Sequence, residues 1–313
     1  MEVNMEKRLL IFDCDPGIDD AFAIAYLKKC DFFDVKMVSS VAGNVELKYT
    51  TRNLRGLVKA LNWDVEVCEG AEKPIIGKQI VASEVHGNNG LSGYEFKEDE
   101  LAPLSTRPAY EAMVDILEKA DKKVTIIAVG PLTNVAILLL GRPDLADKIE
   151  EIGIMGGGLK GGNTTPAAEF NILADAEAAQ VVFNSGIKIR MAGLDITERA
   201  RFTKEEDKLL QESDEKINKI LSAIVQKPLK FERFDGGSYS NMHDTAAIMA
   251  FVHPEVFETE DLYVQVETEG RIARGMTIAD QRQVGRIEPN TAVLVDIDME
   301  RFTKTMIGTL VKK

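Results

Sequence analysis

Residues 11–24, IFDCDPGIDDAFAI, place four aspartates between an apolar strand-like segment and an apolar helix-like segment. The four are Asp13, Asp15, Asp19 and Asp20. Acidic residues are favourable in the first turn of a helix, and one of them can cap its N-terminus, which accounts for Asp19 or Asp20. It does not account for Asp13 and Asp15 as well. Because carboxylates this close together repel one another, the stretch predicts a bound positive charge where the strand meets the helix.

The same alternation of strand-like and helix-like segments continues along the chain. The apolar segments at 35–43 and 123–130 predict strands, and the segments at 45–62 and 132–141 predict helices. Such alternation is typical of βαβ units. We therefore expect an α/β fold, with an open, mostly parallel sheet, helices on both faces and a Rossmann-like core. A long polar helix is predicted over 204–227.

Polar and glycine-containing segments follow the ends of the predicted strands. In an open parallel sheet, ligands bind outside the carboxyl ends of the strands. Any one of these segments could be an ordinary turn, but together they predict a bowl of oxygen ligands and an active site at this edge. The segments are DCD at 13–15, AGN at 42–44, AVGPLTN at 128–134, MGGG at 155–158 and GLDIT at 193–197.

The residue types of the bowl favour a hard cation. Asp15 and Asp20 flank a tight Pro16-Gly17 turn, so their carboxylates can converge on one point. Ca²⁺ and Mg²⁺ take carboxylate, carbonyl and water oxygens as ligands. Zinc is not indicated, because the three histidines and three cysteines show no ligand spacing. Asp244, which opens an apolar helical segment, either caps that helix or adds a fifth acid to the bowl.

The composition restricts the partners and the compartment. The net charge of −13 argues against a nucleic-acid or anionic-membrane partner, because phosphate groups are bound by clustered Lys and Arg. No apolar run reaches the length of a membrane span, and the N-terminal segment predicts no signal peptide. Three cysteines without CxxC spacing indicate a reducing compartment. We expect a cytoplasmic protein that forms a single domain over residues 1–313.

Eight segments of the chain resemble the inosine-uridine-preferring, calcium-dependent nucleoside hydrolase family, in the family's order. The most specific is DCDPGIDD at 13–20. The resemblance implies an N-glycosidase that hydrolyses the N-glycosidic bond of ribonucleosides to free base and ribose, with Ca²⁺ as cofactor. It also implies a homo-oligomer, either a dimer or a tetramer. The other segments are AGN at 42–44, VHGNNG at 85–90, VGPLTNVA at 129–136, MGGG at 155–158, N…AEFN at 163–171, GLDIT at 193–197 and HD at 243–244.

The resemblance also implies roles for individual residues. Asp15 would be the general base toward a Ca²⁺-bound water, and His243 would protonate the leaving base. Carboxylates beneath the ribose would stabilise an oxocarbenium-like transition state. The Ca²⁺ ligands would be Asp15, Asp20, Asp244 and the main-chain carbonyl of Val129. The substrate contacts would be Asp19, Asn44 and Asn171 to the ribose diol, Asn163 and Glu169 to the 5′-hydroxyl, Met155 in the sugar pocket and His86 in the loop over the base.

Two regions leave the resemblance incomplete. The segment KPLKFERFDGGSYSNM, residues 227–242, does not align cleanly with the part of the family that contacts the base. Its candidates for base contact are Phe231, Arg233, Phe234 and Tyr239, and base preference therefore stays open. The glycine-rich loop at 85–93 is typical either of a mobile lid or of a plain surface loop.

Two other functions compete with the hydrolase. A haloacid-dehalogenase-type Mg²⁺ phosphatase also begins with a strand that ends in D-x-D, and Asp13 would then be the nucleophile and Asp15 the acid. Against it, Pro16 and Gly17 follow where that family has a different sequence. A non-catalytic nucleoside- or ribose-binding protein would need the same ligands. Against that alternative, the proposed base Asp15 and the proposed acid His243 are both present.

Overall fold

A computed structural model describes residues 7–231 and 236–312. Its strands are β1 (Arg8–Cys14), β2 (Phe33–Ser40), β3 (Glu66–Glu69), β4 (Val124–Ala128), β5 (Ile149–Met155), β6 (Ile189–Ala192), β7 (Arg201–Thr203), β8 (Tyr239–Asn241), β9 (Phe257–Leu262), β10 (Val264–Val266), β11 (Thr277–Ala279) and β12 (Thr291–Ile297).

The α-helices are α1 (Ile18–Cys30), α2 (Leu47–Ala60), α3 (Ser83–His86), α4 (Ala109–Lys119), α5 (Thr133–Gly141), α6 (Phe170–Ala174), α7 (Ala176–Phe183), α8 (Leu194–Thr197), α9 (Lys204–Glu212), α10 (Lys216–Val225), α11 (His243–Val252) and α12 (Met299–Leu310). Short 3₁₀ helices cover Glu98–Glu100, Pro143–Lys148, Pro228–Lys230 and Pro254–Val256. No helix in this part of the chain is both long and apolar enough to cross a membrane.

Eight strands form the central sheet, in the order β3-β2-β1-β4-β5-β6-β12-β9. All neighbouring pairs are parallel except β12 and β9. β7 pairs with β8 and β10 pairs with β11 in two small antiparallel ribbons. The predicted α/β fold with an open, mostly parallel sheet is confirmed.

Apolar side chains fill both sides of this sheet. Along β1, Leu10, Phe12 and Cys14 join one hydrophobic core, whereas Leu9 and Ile11 join another. Successive side chains of a strand point to opposite faces, so the two cores lie on the two faces of the sheet. Helices α1, α10, α11 and α12 contribute to the first core, and α4, α5 and α7 to the second. The prediction of helices on both faces is therefore also confirmed.

The long helix predicted over 204–227 is wrong, because α9 ends at Glu212 and α10 begins at Lys216. Ser213 between them has an extended backbone, with ψ at 139°. Its hydroxyl accepts hydrogen bonds from the Glu215 main-chain N–H at 3.3 Å and from Asn218 Nδ2 at 2.9 Å. A serine side chain that bonds to nearby backbone in this way competes with helical hydrogen bonding, and here it separates two helices.

Two helical glycines test how tightly the first core is packed. Gly56 lies in α2, and a Cβ atom there would lie 2.1 Å from the buried Phe96 ring. We expect Gly56→Ala to lower the free energy of unfolding by about 1–3 kcal/mol, because the ring has to move. In α12, nothing lies within 4 Å of a Cβ at Gly308. We expect Gly308→Ala to raise the free energy of unfolding by about 0.5–1 kcal/mol, since alanine favours helix.

Urea unfolding of the wild-type protein and of both variants measures these changes. A loss of similar size in the two variants would contradict the packing argument for Gly56.

Candidate active site

The strand order reverses between β1 and β4, which are neighbours in the sheet. From β1 the chain continues outward to β2 and β3, and from β4 it continues in the opposite direction to β5 and β6. Such a switch point opens a crevice outside the carboxyl ends of the two strands. Asp13 of β1 lies beside Ala128 of β4 in the strand register. The residues that follow them, Asp15 and Val129, therefore enter the same crevice.

Three carboxylates meet at this crevice. Oxygen atoms of Asp19, Asp20 and Asp244 lie within 4.8 Å of one another, and all three residues are buried. Asp19 and Asp20 come from the first turn of α1 and Asp244 from the first turn of α11, and these helices pack together in one core. The Asp244 side chain is within hydrogen-bonding reach of the other two. A residue 224 positions away in the sequence thus completes the acidic cluster that begins at Asp20.

Asp15 lies directly beside this cluster. Its main-chain N–H donates to Asp20 Oδ1 at 3.2 Å, and its Oδ2 accepts the main-chain N–H of Asn44 at 2.7 Å. Its Oδ1 is buried without a hydrogen-bond partner in the described residues. Gly43 and Gly130 leave room for this carboxylate, because a Cβ atom would lie 2.1 Å from Oδ2 at Gly43 and 2.6 Å from Oδ1 at Gly130.

Burial dominates the electrostatics of the four acids. It raises the pKa of Asp19 to about 7 and that of Asp20 to about 6, and it raises the pKa of Asp15 and of Asp244 well above the usual range. The negative charge of Asp20 adds to the rise for Asp15 and Asp19, and that of Asp19 adds to the rise for Asp244. Buried acids are stable as anions only when a cation or several donors compensate them.

The donor set fits a hard divalent cation. Within residues 7–231 and 236–312, none of these acids forms an ion pair with a lysine or arginine. Among the described residues, the cluster offers only oxygen ligands, and Asp15 Oδ1 has no hydrogen-bond donor. Ca²⁺ and Mg²⁺ prefer such oxygen ligands, whereas zinc prefers nitrogen and sulfur. The site is therefore suited to Ca²⁺ or Mg²⁺ rather than to zinc.

Asp13, the first acid of the motif, has other partners. Its Oδ1 accepts hydrogen bonds from Ser39 Oγ at 2.5 Å and Asn134 Nδ2 at 2.8 Å. Ser39 lies on β2 and Asn134 on α5, so Asp13 connects the ends of neighbouring elements beneath the cluster. Burial raises its pKa to about 7, although both hydrogen bonds oppose the rise. Its Oδ2 is buried without a hydrogen-bond partner among the described residues.

Two asparagines hold the strand ends in place. Asn44 Nδ2 donates to Asp20 Oδ2 at 3.0 Å and to the Asp15 carbonyl at 3.1 Å. Asn171 Nδ2 donates to the Val129 carbonyl at 2.9 Å and the Met155 carbonyl at 3.1 Å. The side-chain oxygens of both residues take no part in these bonds. Each asparagine can therefore orient the site through its nitrogen and accept from a ligand through its oxygen.

Glu169 and Asn163 surround the start of α6. Glu169 caps this helix and accepts main-chain N–H groups of Gly157, Asn171 and Ile172 at 2.9–3.1 Å. Burial raises its pKa, and these hydrogen bonds oppose the rise. Asn163 is exposed, and its Oδ1 accepts the Phe170 main-chain N–H at 3.0 Å.

The two predicted site histidines have different environments. His86, the last residue of α3, accepts the Ile18 main-chain N–H through Nδ1 at 3.1 Å. Nδ1 is therefore unprotonated, and the neutral ring carries its hydrogen on Nε2. Burial lowers the pKa of His86 to about 4, with a smaller contribution from His243. Nδ1 of His243, which begins α11, lies 2.8 Å from Thr197 Oγ1.

The candidates for base contact are only partly described. Arg233 and Phe234 lie outside the described residues. Phe231 is 60% exposed. Tyr239 lies on β8, where the Arg201 guanidinium stacks over its ring at 3.9 Å from the centroid.

The geometry agrees with comparisons to known proteins. Residues 10–304 match the family described as inosine-uridine preferring nucleoside hydrolase. The chain belongs to this family. It is 39% identical over 304 residues to the pyrimidine-specific ribonucleoside hydrolase RihA of Salmonella newport (strain SL254), with 96% of this chain and 97% of that protein covered.

Solved nucleoside hydrolases have the same fold. The plant nucleoside hydrolase PpNRh1 superposes with a TM-score of 0.89 at 30% identity, covering 98% of this chain and 100% of the other. The purine-preferring ribonucleoside hydrolase from Gardnerella vaginalis gives 0.89 at 28% identity, covering 97% and 98%. The prediction of a nucleoside hydrolase, an N-glycosidase, is confirmed, and family membership favours it over the phosphatase alternative.

Sequence reasoning missed three side chains around this nucleoside hydrolase site. Ser39 and Asn134 bind Asp13, and Thr197 binds His243. Asn134 and Thr197 lie inside the segments VGPLTNVA and GLDIT. Their position after a strand was the available signal, but their partners are 121 and 46 positions away, so spacing could not reveal the contacts.

The raised pKa values predict that protons and metal compete for the site. Below about pH 4, Asp is protonated in both the folded and the unfolded chain. Between about pH 4 and about pH 7, the unfolded chain is ionised while the buried Asp20 and Asp19 of the folded chain still hold protons, so the stabilisation that those protons gave is lost progressively as the pH rises. In chelator, this contribution to stability therefore declines over that range. A divalent cation such as Ca²⁺ that binds the ionised acids should release protons and restore stability.

The test measures the melting temperature of the protein at a series of pH values from about 5 to about 7.5, once with Ca²⁺ and once with chelator. Calorimetric titration with Ca²⁺ in two buffers of different ionisation enthalpy counts the released protons. Asp244→Asn should weaken the response, and Asp144→Asn on the surface should leave it unchanged. Melting curves that respond to pH identically with and without Ca²⁺ would contradict the prediction.

Proposed function

We propose that this protein hydrolyses the N-glycosidic bond of ribonucleosides, releasing free base and ribose, with Ca²⁺ at the aspartate cluster. The observation that carries the proposal is the convergence of Asp19, Asp20 and Asp244 with Asp15 at the sheet's switch point. The chain's membership of the nucleoside hydrolase family also supports the proposed reaction.

Asp15, Asp20, Asp244 and the carbonyl of Val129 would hold the cation. The burial of the three carboxylates, none of which pairs with a lysine or arginine among the described residues, supports this assignment. A bound Ca²⁺ supplies positive charge that orients the ribose hydroxyls and eases deprotonation of the attacking water. Asp19, which shares the cluster, is then available to the ribose diol together with Asn44 and Asn171.

Asp15 is the proposed general base. Its Oδ2 is occupied by the Asn44 N–H, and its Oδ1 has no protein partner among the residues described. A carboxylate with one fixed and one unsatisfied oxygen is oriented to take a proton from a water molecule placed beneath the sugar. The surrounding carboxylates stabilise the positive charge that develops on the ribose as the glycosidic bond breaks.

His243 is the proposed general acid for the departing base. As the glycosidic bond breaks, its electron pair moves to the base, and a proton from His243 neutralises the resulting charge. His86 stays neutral near pH 7, because its pKa is about 4. It therefore serves as a hydrogen-bond donor through Nε2 in the loop over the base rather than as an acid.

The remaining proposed contacts are to the 5′-hydroxyl and to the other side of the ribose. Glu169 and Asn163 would bind the 5′-hydroxyl, and Met155 would line the sugar pocket. Support comes from the location of Glu169 and Met155, since Asn171 contacts Met155 and is bound by Glu169 at the start of α6.

For the base, we propose pyrimidine ribonucleosides. The pyrimidine-specific Salmonella newport enzyme, at 39% identity, supports this choice over the purine preference of the Gardnerella vaginalis enzyme, at 28%.

We also propose that residues 1–313 form one nucleoside hydrolase domain, and that the protein acts in the cytoplasm as a homo-oligomer, a dimer or tetramer. Two cores on opposite faces of one sheet support the single domain. Free thiols at Cys14, Cys30 and Cys68 support a reducing compartment. The oligomer rests on the resemblance to the family.

Release of free ribose tests the proposed reaction directly. We expect release from uridine and cytidine to exceed that from inosine, adenosine and guanosine, and excess chelator to abolish all of it. Asp15→Asn should lower kcat by about 10²–10⁴-fold, because it removes the base. Asp144→Asn, a surface carboxylate paired with Arg142, is the matched control and should retain full activity.

Near-normal turnover by Asp15→Asn would refute its role as base. Binding of ribonucleosides without any ribose release would favour the non-catalytic binding protein instead.

The role of His243 predicts a dependence on the leaving group. A nucleoside base needs a proton to depart, whereas 4-nitrophenolate departs without one. His243→Ala should therefore lower kcat on uridine by about 10²–10⁴-fold and spare 4-nitrophenyl riboside. His253→Ala, at the far end of α11, is the control and should affect neither substrate. Equal losses by His243→Ala on both substrates would refute the role of His243 as acid.

A further inference from the structure

The side chain of Thr197 contacts the proposed acid, His243. Its Oγ1 lies 2.8 Å from Nδ1 of His243, and the residue is fully buried at the end of α8. Helix α8 follows β6 at the carboxyl edge of the sheet, the edge that holds the aspartate cluster. A threonine hydroxyl buried against an imidazole nitrogen is a specific hydrogen bond and not a surface contact.

The backbone around both residues keeps this hydrogen bond in place. The Thr197 main-chain N–H donates to the Gly193 carbonyl at 3.1 Å, inside the turn of α8. On the other side, the Met242 N–H donates to the Ala200 carbonyl at 2.7 Å, immediately before His243. Met242 and Asp244, which flank His243, are both buried. The separation of the hydroxyl and the ring is therefore set by two anchored chain segments.

We propose that Thr197 is a positioning residue for proton transfer by His243, an inference that rests on the proposed acid role of that histidine. The Thr197 hydroxyl accepts a hydrogen bond from Nδ1–H and so assigns the transferred proton to Nε2. In the transfer, the Nε2–H bond breaks, the base–H bond forms, and the electron pair of the glycosidic bond stays with the base. The ring is left neutral with its hydrogen on Nδ1, and its bond to Thr197 is the same before and after.

This arrangement explains how the two histidines differ. His86 accepts a backbone N–H at Nδ1, which keeps that nitrogen unprotonated and the ring neutral. A hydroxyl, unlike a backbone N–H, can accept a hydrogen bond, so it is compatible with a protonated Nδ1 at His243. The group that is bound to Nδ1 thus sets the role of each ring. His86 can only donate a hydrogen bond through Nε2, whereas His243 can transfer a proton.

The test compares Thr197→Val with Thr197→Ser. Valine keeps the shape of threonine and removes the hydroxyl, whereas serine keeps the hydroxyl. On uridine, we expect Thr197→Val to lower kcat by about 10- to 100-fold with little change in KM, because the acid is misplaced. On 4-nitrophenyl riboside, which needs no acid, kcat should stay within about threefold of wild type, because the rest of the site is unchanged. Thr197→Ser should restore most of the uridine activity.

His243→Ala is assayed in parallel to separate two failures. If His243→Ala loses activity on uridine alone but Thr197→Val loses activity equally on both substrates, or on neither, the positioning role is refuted. If His243→Ala itself loses activity equally on both substrates, the proposed acid role fails, and the inference fails with it. Should Thr197→Val not fold, Thr197→Ala and Thr197→Ser are compared in the same way, and equal activities on uridine would overturn the inference.

Discussion

Electrostatic repulsion among buried carboxylates is the constraint on which the rest of this structure depends. Asp15, Asp19, Asp20 and Asp244 lie out of water without a cationic side chain among the described residues to balance them. Repulsion and lost hydration both raise the pKa of such groups and oppose folding unless a cation binds. The fold reduces this cost with backbone N–H donors and the N-terminus of α1, whose dipole favours negative charge. The same electrostatics make the site suited to a divalent cation.

The positions of the acids determine their different functions. Asp13 is fixed by Ser39 and Asn134 and connects strand ends, whereas Asp15, two residues later, passes the end of β1 and enters the crevice. Neighbouring glycines are part of this arrangement, because side chains at Gly43 or Gly130 would occupy the space of the Asp15 carboxylate. A short motif thus supplies both a support of the site and the carboxylate that we propose as its general base.

Polar side chains around the acids act mainly through their orientation. Asn44 and Asn171 use their nitrogens to hold main-chain carbonyls and carboxylates in place, which leaves their oxygens for a ligand. Nδ1 of His86 accepts a backbone N–H, whereas Nδ1 of His243 lies beside the Thr197 hydroxyl, and the different roles that we propose for the two imidazoles rest on this difference. The hydrolysis of a ribonucleoside needs this combination of acids, donors and one proton source, held at fixed distances by strand ends and helix starts.

The fold class and several residues of the candidate site could be predicted from the amino-acid sequence. Alternating apolar segments specify a parallel sheet, and residues placed after the strands must then meet at one edge, so Asp15, Asn44 and Val129 could be predicted there. Asn171, which lies in α6, was predicted only from the resemblance to the family. Which side chains bond to one another depends on the tertiary structure. The contact of Asp244 with Asp19, and that of Thr197 with His243, depend on how α11 and α8 pack. Local patterns carry no information on the distance between residues that the chain separates, because strand order and helix packing set it.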